Sequence, residues 1–255
     1  MKRSIPETFE TLRLSDLSVL DACQTREKCP VCKKSVKYFC YRCFEVVGCS
    51  KDLIPNVNLP FKLDVIKHQA ERDGKSTAIH AKIVAPQDVE IYTYPNELPD
   101  LTNLEDTLLL FPSKDAKPMS EIPRESFSRV IVVDGTWKQA SSILHNTPEF
   151  EKVRKVKIPT QKTTFWRYQN CDETHLATIE AIYYLYKEYA VAHQSPYDGR
   201  YDDLLFYYIY FYSLIQNNYI NGKDERSFTT RHQTNYIQYP AAAAAAEDPE
   251  SEAHS

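Results

Sequence analysis

A chain of 255 residues has room for one large domain, or for one domain and a small appendage. Its hydrophobic content of 42%, with 18 tyrosines carrying much of the aromatic mass, suffices for a sizeable core, but the most apolar window, Leu204 to Ile215, is shorter than the roughly 20 residues that cross a bilayer, so no membrane partner is expected. The formal charge of −4 is carried by the last residues, where Glu247, Asp248, Glu250 and Glu252 meet no Lys or Arg, and the rest of the chain is neutral.

The N-terminal residues, Met1 to Glu7, lack an apolar signal-peptide region, so a reducing compartment is expected, and with it thiols or metal ligands rather than disulfides for the seven cysteines. Residues 7–25 read as a short helix and linker. Cys29-Pro30-Val31-Cys32 and Cys40-Tyr41-Arg42-Cys43 then form two CxxC knuckles, each able to grip one side of a tetrahedral zinc ion, with a small hairpin expected from Lys33 to Phe39. Redox chemistry is the alternative for one such pair; two pairs so close favour a shared metal. Cys23, Cys49 and Cys171 have no evident partner and are expected to be ordinary thiols.

Beyond Asn56 strands and helices alternate. Leu63 to Ile66 is a short apolar stretch running into Lys67-His68-Gln69-Ala70-Glu71, and Ala78 to Ala85 and Val89 to Tyr94 are predicted strands. Thr107 to Phe111, closed by Pro112-Ser113, and Val130 to Val133, closed by Asp134-Gly135, are unbroken apolar runs of the kind buried on both faces of a parallel sheet. A helix is predicted from Trp137 to Leu144, a strand from Val153 to Ile158, and a helix from His175 to Ala190. Asp202-Asp203 is expected to open a last helix running to about Tyr219, its acids suiting the positive end of the dipole. The fold class is therefore α/β with a mostly parallel sheet, in which ligands bind beyond the carboxyl ends of the strands; His68, Ser113, Asp134 and Thr160 would lie there. The organisation expected is an N-terminal segment and ribbon over 1–50, a catalytic domain over 51–222 and an extension over 223–255, disordered from about 240 onward, where six alanines and an acidic end can bury nothing.

Two basic runs interrupt the neutral body. Residues 26–51 hold seven basic side chains against Glu27 and Glu45, and residues 152–167 hold Lys152, Arg154, Lys155, Lys157, Lys162 and Arg167 with no acid. Phosphate contacts need local rather than net charge, so these runs suit a polyanion partner as well as they suit solvated surface. Trp166 beside Arg167 would stack on a splayed base or complete the core. His68 and His80 are expected to be hydrogen-bonded structural histidines, and Glu180 a buried anchor or a substrate contact.

The turn after Val133 concentrates chemistry. Asp134 supplies a carboxylate, Gly135 lets the backbone approach a ligand, Thr136 can cap the next helix or bond a ligand, and Trp137 offers a flat face to a base or a cation. On residues alone this is either a site for a small ligand with an acidic and a cationic or aromatic end, or a capped turn whose tryptophan fills the core.

This Asp-x-Thr-Trp tetrapeptide after an apolar strand resembles the signature of the DTW-domain family. The likeness extends through His68–Glu71, Asp73–Lys82, Ile91–Pro95, Thr163–Arg167, Thr178–Tyr184, Gln194–Phe206 and both knuckles, and is closest to the subfamily of DTW domain-containing protein 1; Gln69 departs from it, standing where the family often has proline. The resemblance implies a SPOUT-like, knotted α/β core preceded by a small zinc ribbon, which transfers the 3-amino-3-carboxypropyl group of S-adenosylmethionine to N3 of a D-loop uridine, position 20, in tRNA and releases methylthioadenosine. It implies catalytic roles for Asp134, Thr136 and Trp137, with donor binding by Gly135, Pro112, Ser113, His68 and Glu71. Zinc would sit on Cys29, Cys32, Cys40 and Cys43, and tRNA on Lys152, Arg154, Lys155, Lys157, Lys162, Trp166 and Arg167. The nucleus is the implied compartment, with the cytoplasm beside it. Asp134 would deprotonate the uridine or hold the donor's ammonium group; next to a helix N-terminus its pKa is expected to be lowered, which makes a weak base. The competing functions are a SPOUT-type RNA methyltransferase using the same donor, and a non-catalytic zinc-ribbon RNA-binding protein.

Overall fold

The computed structural model describes residues 5–102, 104–166, 173–194 and 196–220. Its body is a six-stranded parallel sheet in the order β4-β3-β7-β5-β8-β6, built from β3 (Lys62–His68), β4 (Val89–Tyr94), β5 (Thr107–Leu110), β6 (Lys117–Pro118), β7 (Arg129–Asp134) and β8 (Arg154–Lys157). The central β7 pairs with β3 on one side, Val65 opposite Val132, and with β5 on the other, Leu109 opposite Ile131. Alternate side chains of these strands enter different cores. Val130 and Val132 pack with Leu63, Val65, Leu108 and Val156 beneath α1 (Ala78–Val84), α3 (Thr178–His193) and α4 (Phe206–Ile220). Ile131, Ile66 and Leu109 pack the other way, against Ile143 of α2 (Trp137–His145) and against Phe150 and Val153. Burial on both faces is why the central strands read as unbroken apolar runs.

Two local expectations fail. Ala78 to Ala85 is helix rather than strand, because α1 is enclosed nearly all round: Ala78, Ile79, His80, Ala81, Ile83 and Val84 are buried, so no polar face marks a helical period. Its one basic residue, Lys82, reaches out to the Val89 carbonyl at 2.6 Å and to Glu90 at 2.9 Å. Asp202 and Asp203 open the last helix as expected, in a 3-10 turn over Asp202–Leu205 that runs into α4, and they also bond outside it. Asp202 accepts from the Arg13 N–H at 2.8 Å and from the hydroxyls of Tyr197 and Tyr183, and Asp203 accepts from the N–H and hydroxyl of Ser15, both at 2.7 Å. The two carboxylates thus fasten the N-terminal segment to the start of α4. The expected hairpin within Lys33–Phe39 is instead a two-stranded ribbon across the first knuckle, β1 (Glu27–Lys28) against β2 (Ser35–Val36).

The ribbon is docked, not tethered. Phe39 packs edge-on against Tyr207 of α4 at 5.0 Å and against His80 of α1 at 5.9 Å, and Tyr38 packs against Phe211 at 5.1 Å. Two of the tyrosines that α4 buries place their hydroxyls on partners, Tyr210 on the Leu20 carbonyl and Tyr208 on Thr164, whereas the buried Tyr207 hydroxyl has none among the described residues. His80 is therefore a core residue. No helix among the described residues is long and apolar enough to cross a membrane. Cys171 and the extension from 223 onward lie outside the described residues.

Candidate active site and metal centre

The carboxyl ends of β5, β7 and β8 open onto a cavity of about 280 Å³. Leu110, Phe111 and Pro112 form one side, Val132, Val133, Gly135 and Trp137 a second, and Lys157 to Gln161 a third; Thr174 to Leu176 with Thr178 and Ala181 of α3 close it. Apolar walls with a few polar groups, here Lys157, Thr160, His175 and Thr178, are the usual make-up of a small-molecule site. Trp137 stands 36% exposed, its indole meeting His175 edge-on at 4.9 Å and Phe111 at 6.1 Å. A core-filling tryptophan would be covered; this one faces the cavity.

The turn itself is built for this. Gly135 has φ +154, and a Cβ there would lie 2.8 Å from Gln139 Oε1, so only glycine passes without strain. Thr136 begins α2 with a capping box: its Oγ1 accepts from the Gln139 N–H at 3.3 Å, and Gln139 Oε1 accepts from the Thr136 N–H at 2.7 Å. Thr136 is thus the cap.

Asp134 follows Val132 onto the face covered by α1 and α3, where it is 2% exposed. Ser76, at the lead-in to α1, donates to Oδ2 at 2.6 Å, and Thr178, the first residue of α3, donates to Oδ1. Burial pushes the Asp134 carboxyl above its ordinary range, with the two hydroxyls and Lys67 pulling the other way. The sequence argument for a lowered pKa is therefore corrected: desolvation outweighs the nearby helix start, whose leading N–H is taken by its own capping box. Asp134 lines no cavity. It is the partition between two, since Thr178 lines the one just described and Ser76 lines a second cleft on the other side.

Of the other residues singled out in the sequence, Gly135, Pro112, Trp137 and Thr160 meet at the cavity and Ser113 and Glu71 do not. His68 closes its own turn, Nδ1 accepting from the Ala70 N–H at 3.1 Å, with its Cβ behind Gly135. Glu180 is fully buried and accepts from both Thr163 and Thr164 hydroxyls and from the Thr164 and Ala177 N–H groups, so it is an anchor that pins the 163–166 segment to α3. Ser76, His175 and Thr178 were not legible as site residues; two hydroxyls 58 and 44 residues from Asp134 carry no local pattern.

Residues 37–216 match the DTW domain family. The chain belongs to the DTW-domain family. Among its relatives, a tRNA-uridine aminocarboxypropyltransferase 1 from Xenopus tropicalis is 35% identical, the alignment covering 82% of this chain and 86% of that protein. The protein of the same name from Mus musculus is 34% identical over 83% of this chain and 84% of its own. A solved structure, the SAM-dependent rRNA:acp-transferase Tsr3 from Vulcanisaeta distributa, is similar at 16% identity and a TM-score of 0.39, covering 63% of this chain and 80% of that one.

The second feature of this DTW-domain chain is its cysteine cluster. The Sγ atoms of Cys29, Cys32, Cys40 and Cys43 all lie within 4.8 Å of one another, and Cys32 and Cys40 are 3.6 Å apart. The two knuckles are built alike. In the first, Lys33 N donates to the Cys29 carbonyl at 3.0 Å and Cys29 N to that of Lys34 at 2.8 Å; in the second, Phe44 N donates to the Cys40 carbonyl at 2.9 Å and Cys40 N to that of Glu45 at 2.8 Å. The residue after each second cysteine, Lys33 and Phe44, takes a positive φ near 60°. Cys23 and Cys49 stand apart from this cluster, beside each other, and burial pushes the Cys23 thiol up to about 12.

The basic run over 152–167 is dispersed. Arg154, at the start of β8, bonds the Glu105 and Ser126 carbonyls, and with Lys152 it lies at the sheet end opposite the cavity. Lys155 is paired with Asp115 at 2.9 Å and Lys162 with Glu173 at 2.8 Å; Lys157 lines the cavity. Trp166 is buried against Tyr208 at 5.0 Å and completes the core, while Arg167 lies outside the described residues.

Proposed function

We propose that this protein transfers the 3-amino-3-carboxypropyl group of S-adenosylmethionine to N3 of a D-loop uridine, position 20, in tRNA. The single observation that carries the reading is the family match of a chain whose Gly135–Trp137 turn lines a cavity at the strand ends. The relatives named above, aligned along most of their length, supply the reaction. Donor and acceptor must then be held so that uridine N3 meets the γ-carbon of the methionine part in line with the C–S bond, with the sulfur leaving as methylthioadenosine.

The side chains divide the work. The apolar walls and the Trp137 face suit the adenosine and sulfonium of the donor, the indole face attracting the cation. Thr178 gives its proton to Asp134, so its oxygen offers the cavity an acceptor backed by a negative charge, which suits the donor's ammonium. Asp134 acts through Thr178 and Ser76, as a positioning residue. Lys157 and the 158–161 segment are placed to meet the amino acid carboxylate or the RNA.

The four cysteines fit a structural zinc ion. Sulfurs at about 2.3 Å from one tetrahedral zinc stand about 3.8 Å apart, close to the spacing here, and two matching knuckles aim them at one point. Bound zinc would cross-link the ribbon and take no part in the transfer. The nucleus, with the cytoplasm beside it, is the compartment that goes with this reading.

The test is the by-product. Purified protein, S-adenosylmethionine and unmodified tRNA should yield methylthioadenosine and a modified D-loop uridine. Adenosylhomocysteine in its place would mean methyl transfer, and neither product would leave an RNA-binding protein without this catalysis.

A further inference from the structure

The second cleft, about 470 Å³, lies between the second cysteine knuckle and the carboxyl ends of β3 and β4. From the knuckle come Tyr41, Arg42 and Phe44; from the sheet come Lys67, Gln69 and Thr93. We infer that this cleft seats a nucleotide of the tRNA next to the acceptor, and that the ribbon is the main RNA-docking surface.

The electrostatics of the ribbon, rather than of the cleft floor, favour a polyanion. Two acids border the cleft: Asp73 is paired with Lys67 at 2.5 Å, and Glu97 accepts from the Thr93 N–H at 3.0 Å and keeps its charge. Arg42 is exposed and makes no ion pair among the described residues. The same holds along the ribbon, where Arg26, Lys28, Lys33, Lys34, Lys37 and Lys51 form no ion pair with an acid among those residues, in contrast to Lys155 and Lys162 in the later run. Arg26 and Lys33 bond the Ser35 and Pro30 carbonyls, which leaves their charges unneutralised. Cations without an acid partner release counterions when they meet phosphates; cations in an ion pair must first break it.

The chemistry favours an unpaired nucleotide. Tyr41 and Phe44 are half-buried in the cleft wall, Tyr41 packed edge-on against Phe39 at 5.0 Å, and exposed Gln69 supplies both donors and an acceptor for a base edge. Aromatic faces interleaved with arginine are how proteins hold splayed bases. The location ties the cleft to the reaction. Ser76 lines it and donates to Asp134, whose other oxygen holds Thr178 in the first cavity, so one carboxylate joins the RNA side to the donor side. The docking of Phe39 on α4 and α1 fixes the knuckle over this edge.

The inference rests on the proposed function for the identity of the RNA. Its test is direct binding of an unmodified tRNA transcript, with S-adenosylmethionine affinity and turnover measured beside it. Arg42→Glu should weaken tRNA binding about tenfold or more at moderate salt and lower the slope of log affinity against log salt by about one. Gln69→Glu, on the sheet side and independent of the knuckle's folding, should raise KM for tRNA. Both should bind S-adenosylmethionine as the native protein does, and Lys152→Glu at the far end of the sheet should bind tRNA normally. Native tRNA affinity in both cleft variants would overturn the inference, as would an equal loss in Lys152→Glu. A native protein that binds tRNA through Arg42 yet releases no methylthioadenosine would sink the transferase reading and leave the cleft standing.

Discussion

Replacing Asp134 by asparagine separates the stability of the fold from the work of the site. In the native protein the carboxylate is 2% exposed and accepts two hydroxyl hydrogen bonds, from Ser76 and Thr178. Bonds to a charged group contribute about 1.5–3 kcal/mol each, against about 0.5–1.5 for neutral ones, so neutralising the group forgoes roughly 2–3 kcal/mol. Against this stands desolvation, several kcal/mol for a buried ion, and the raised pKa records that desolvation is the larger effect. The sign follows. A carboxyl whose folded pKa lies above the unfolded value of about 3.9 contributes stability fully present below that value and lost as pH rises through the folded pKa. Asp134→Asn should therefore melt within a few degrees of native at pH 7–8, a change of about 1 kcal/mol or less, and should lack the native protein's decline with rising pH from this group. Asp134→Ala, which leaves the buried Ser76 hydroxyl and the half-buried Thr178 hydroxyl without their acceptor, should lose about 1–3 kcal/mol. In the assay, Asp134→Asn should release little methylthioadenosine and bind S-adenosylmethionine more weakly, with no recovery at high pH; Thr178→Val should reproduce the weaker binding. Recovery at high pH would make Asp134 the base after all. Native turnover, or a loss of more than about 3 kcal/mol in the asparagine variant, would refute the argument.

Two further outcomes are expected. The purified protein should carry one zinc per chain by elemental analysis, and Cys29→Ser with Cys40→Ser should release it; because Phe39 plugs α4, the loss should also lower the melting temperature of the sheet domain, and an unchanged, metal-free native protein would exclude the site. Gly135→Ala should cost about 1–3 kcal/mol by forcing a side chain into positive φ against Gln139, and should weaken S-adenosylmethionine binding measured by calorimetry; an unstrained variant with native affinity would remove Gly135 from the site.

The sheet was legible where burial is two-sided. The 108–110 and 130–133 stretches have apolar side chains for both cores and nothing polar between them, so their shortness and the turn residues that close them identify them as strands. The same two-sidedness hid α1: enclosed by α3, α4 and the sheet, it sets only His80 and Lys82 among apolar residues, two apart as in a strand, and its seven residues are too few to show a helical period. The site was half legible. Gly135 and Trp137 could be found because turn, glycine and indole are adjacent in sequence. The environment of Asp134 was not, because its partners are two ordinary hydroxyls brought in by different helices. The basic run over 152–167 is dispersed for a similar reason: like charges along a strand alternate sides, and acids distant in sequence pair with Lys155 and Lys162.

That redistribution bears on how an RNA is presented to the cavity. A flexible ribbon would raise the local concentration of tRNA without orienting it, and in-line attack needs the acceptor placed to within a fraction of an ångström. Here the ribbon is locked by aromatic packing onto α4, and the N-terminal segment that leads into it is locked by Asp202 and Asp203 at the head of that helix. α3, beside it, begins with Thr178 in the cavity wall and carries Glu180, which pins the 163–166 segment on the same side. Tyr38 and Phe39 of the ribbon therefore share one core with the two helices, while the knuckle cysteines close a small cluster of their own with Val36 and Val47. Such cores transmit small displacements rather than absorbing them. Loosening the ribbon through its cysteines should for this reason lower turnover at saturating tRNA as well as tRNA affinity; a loss confined to affinity would mean that the ribbon only captures the RNA and does not orient it.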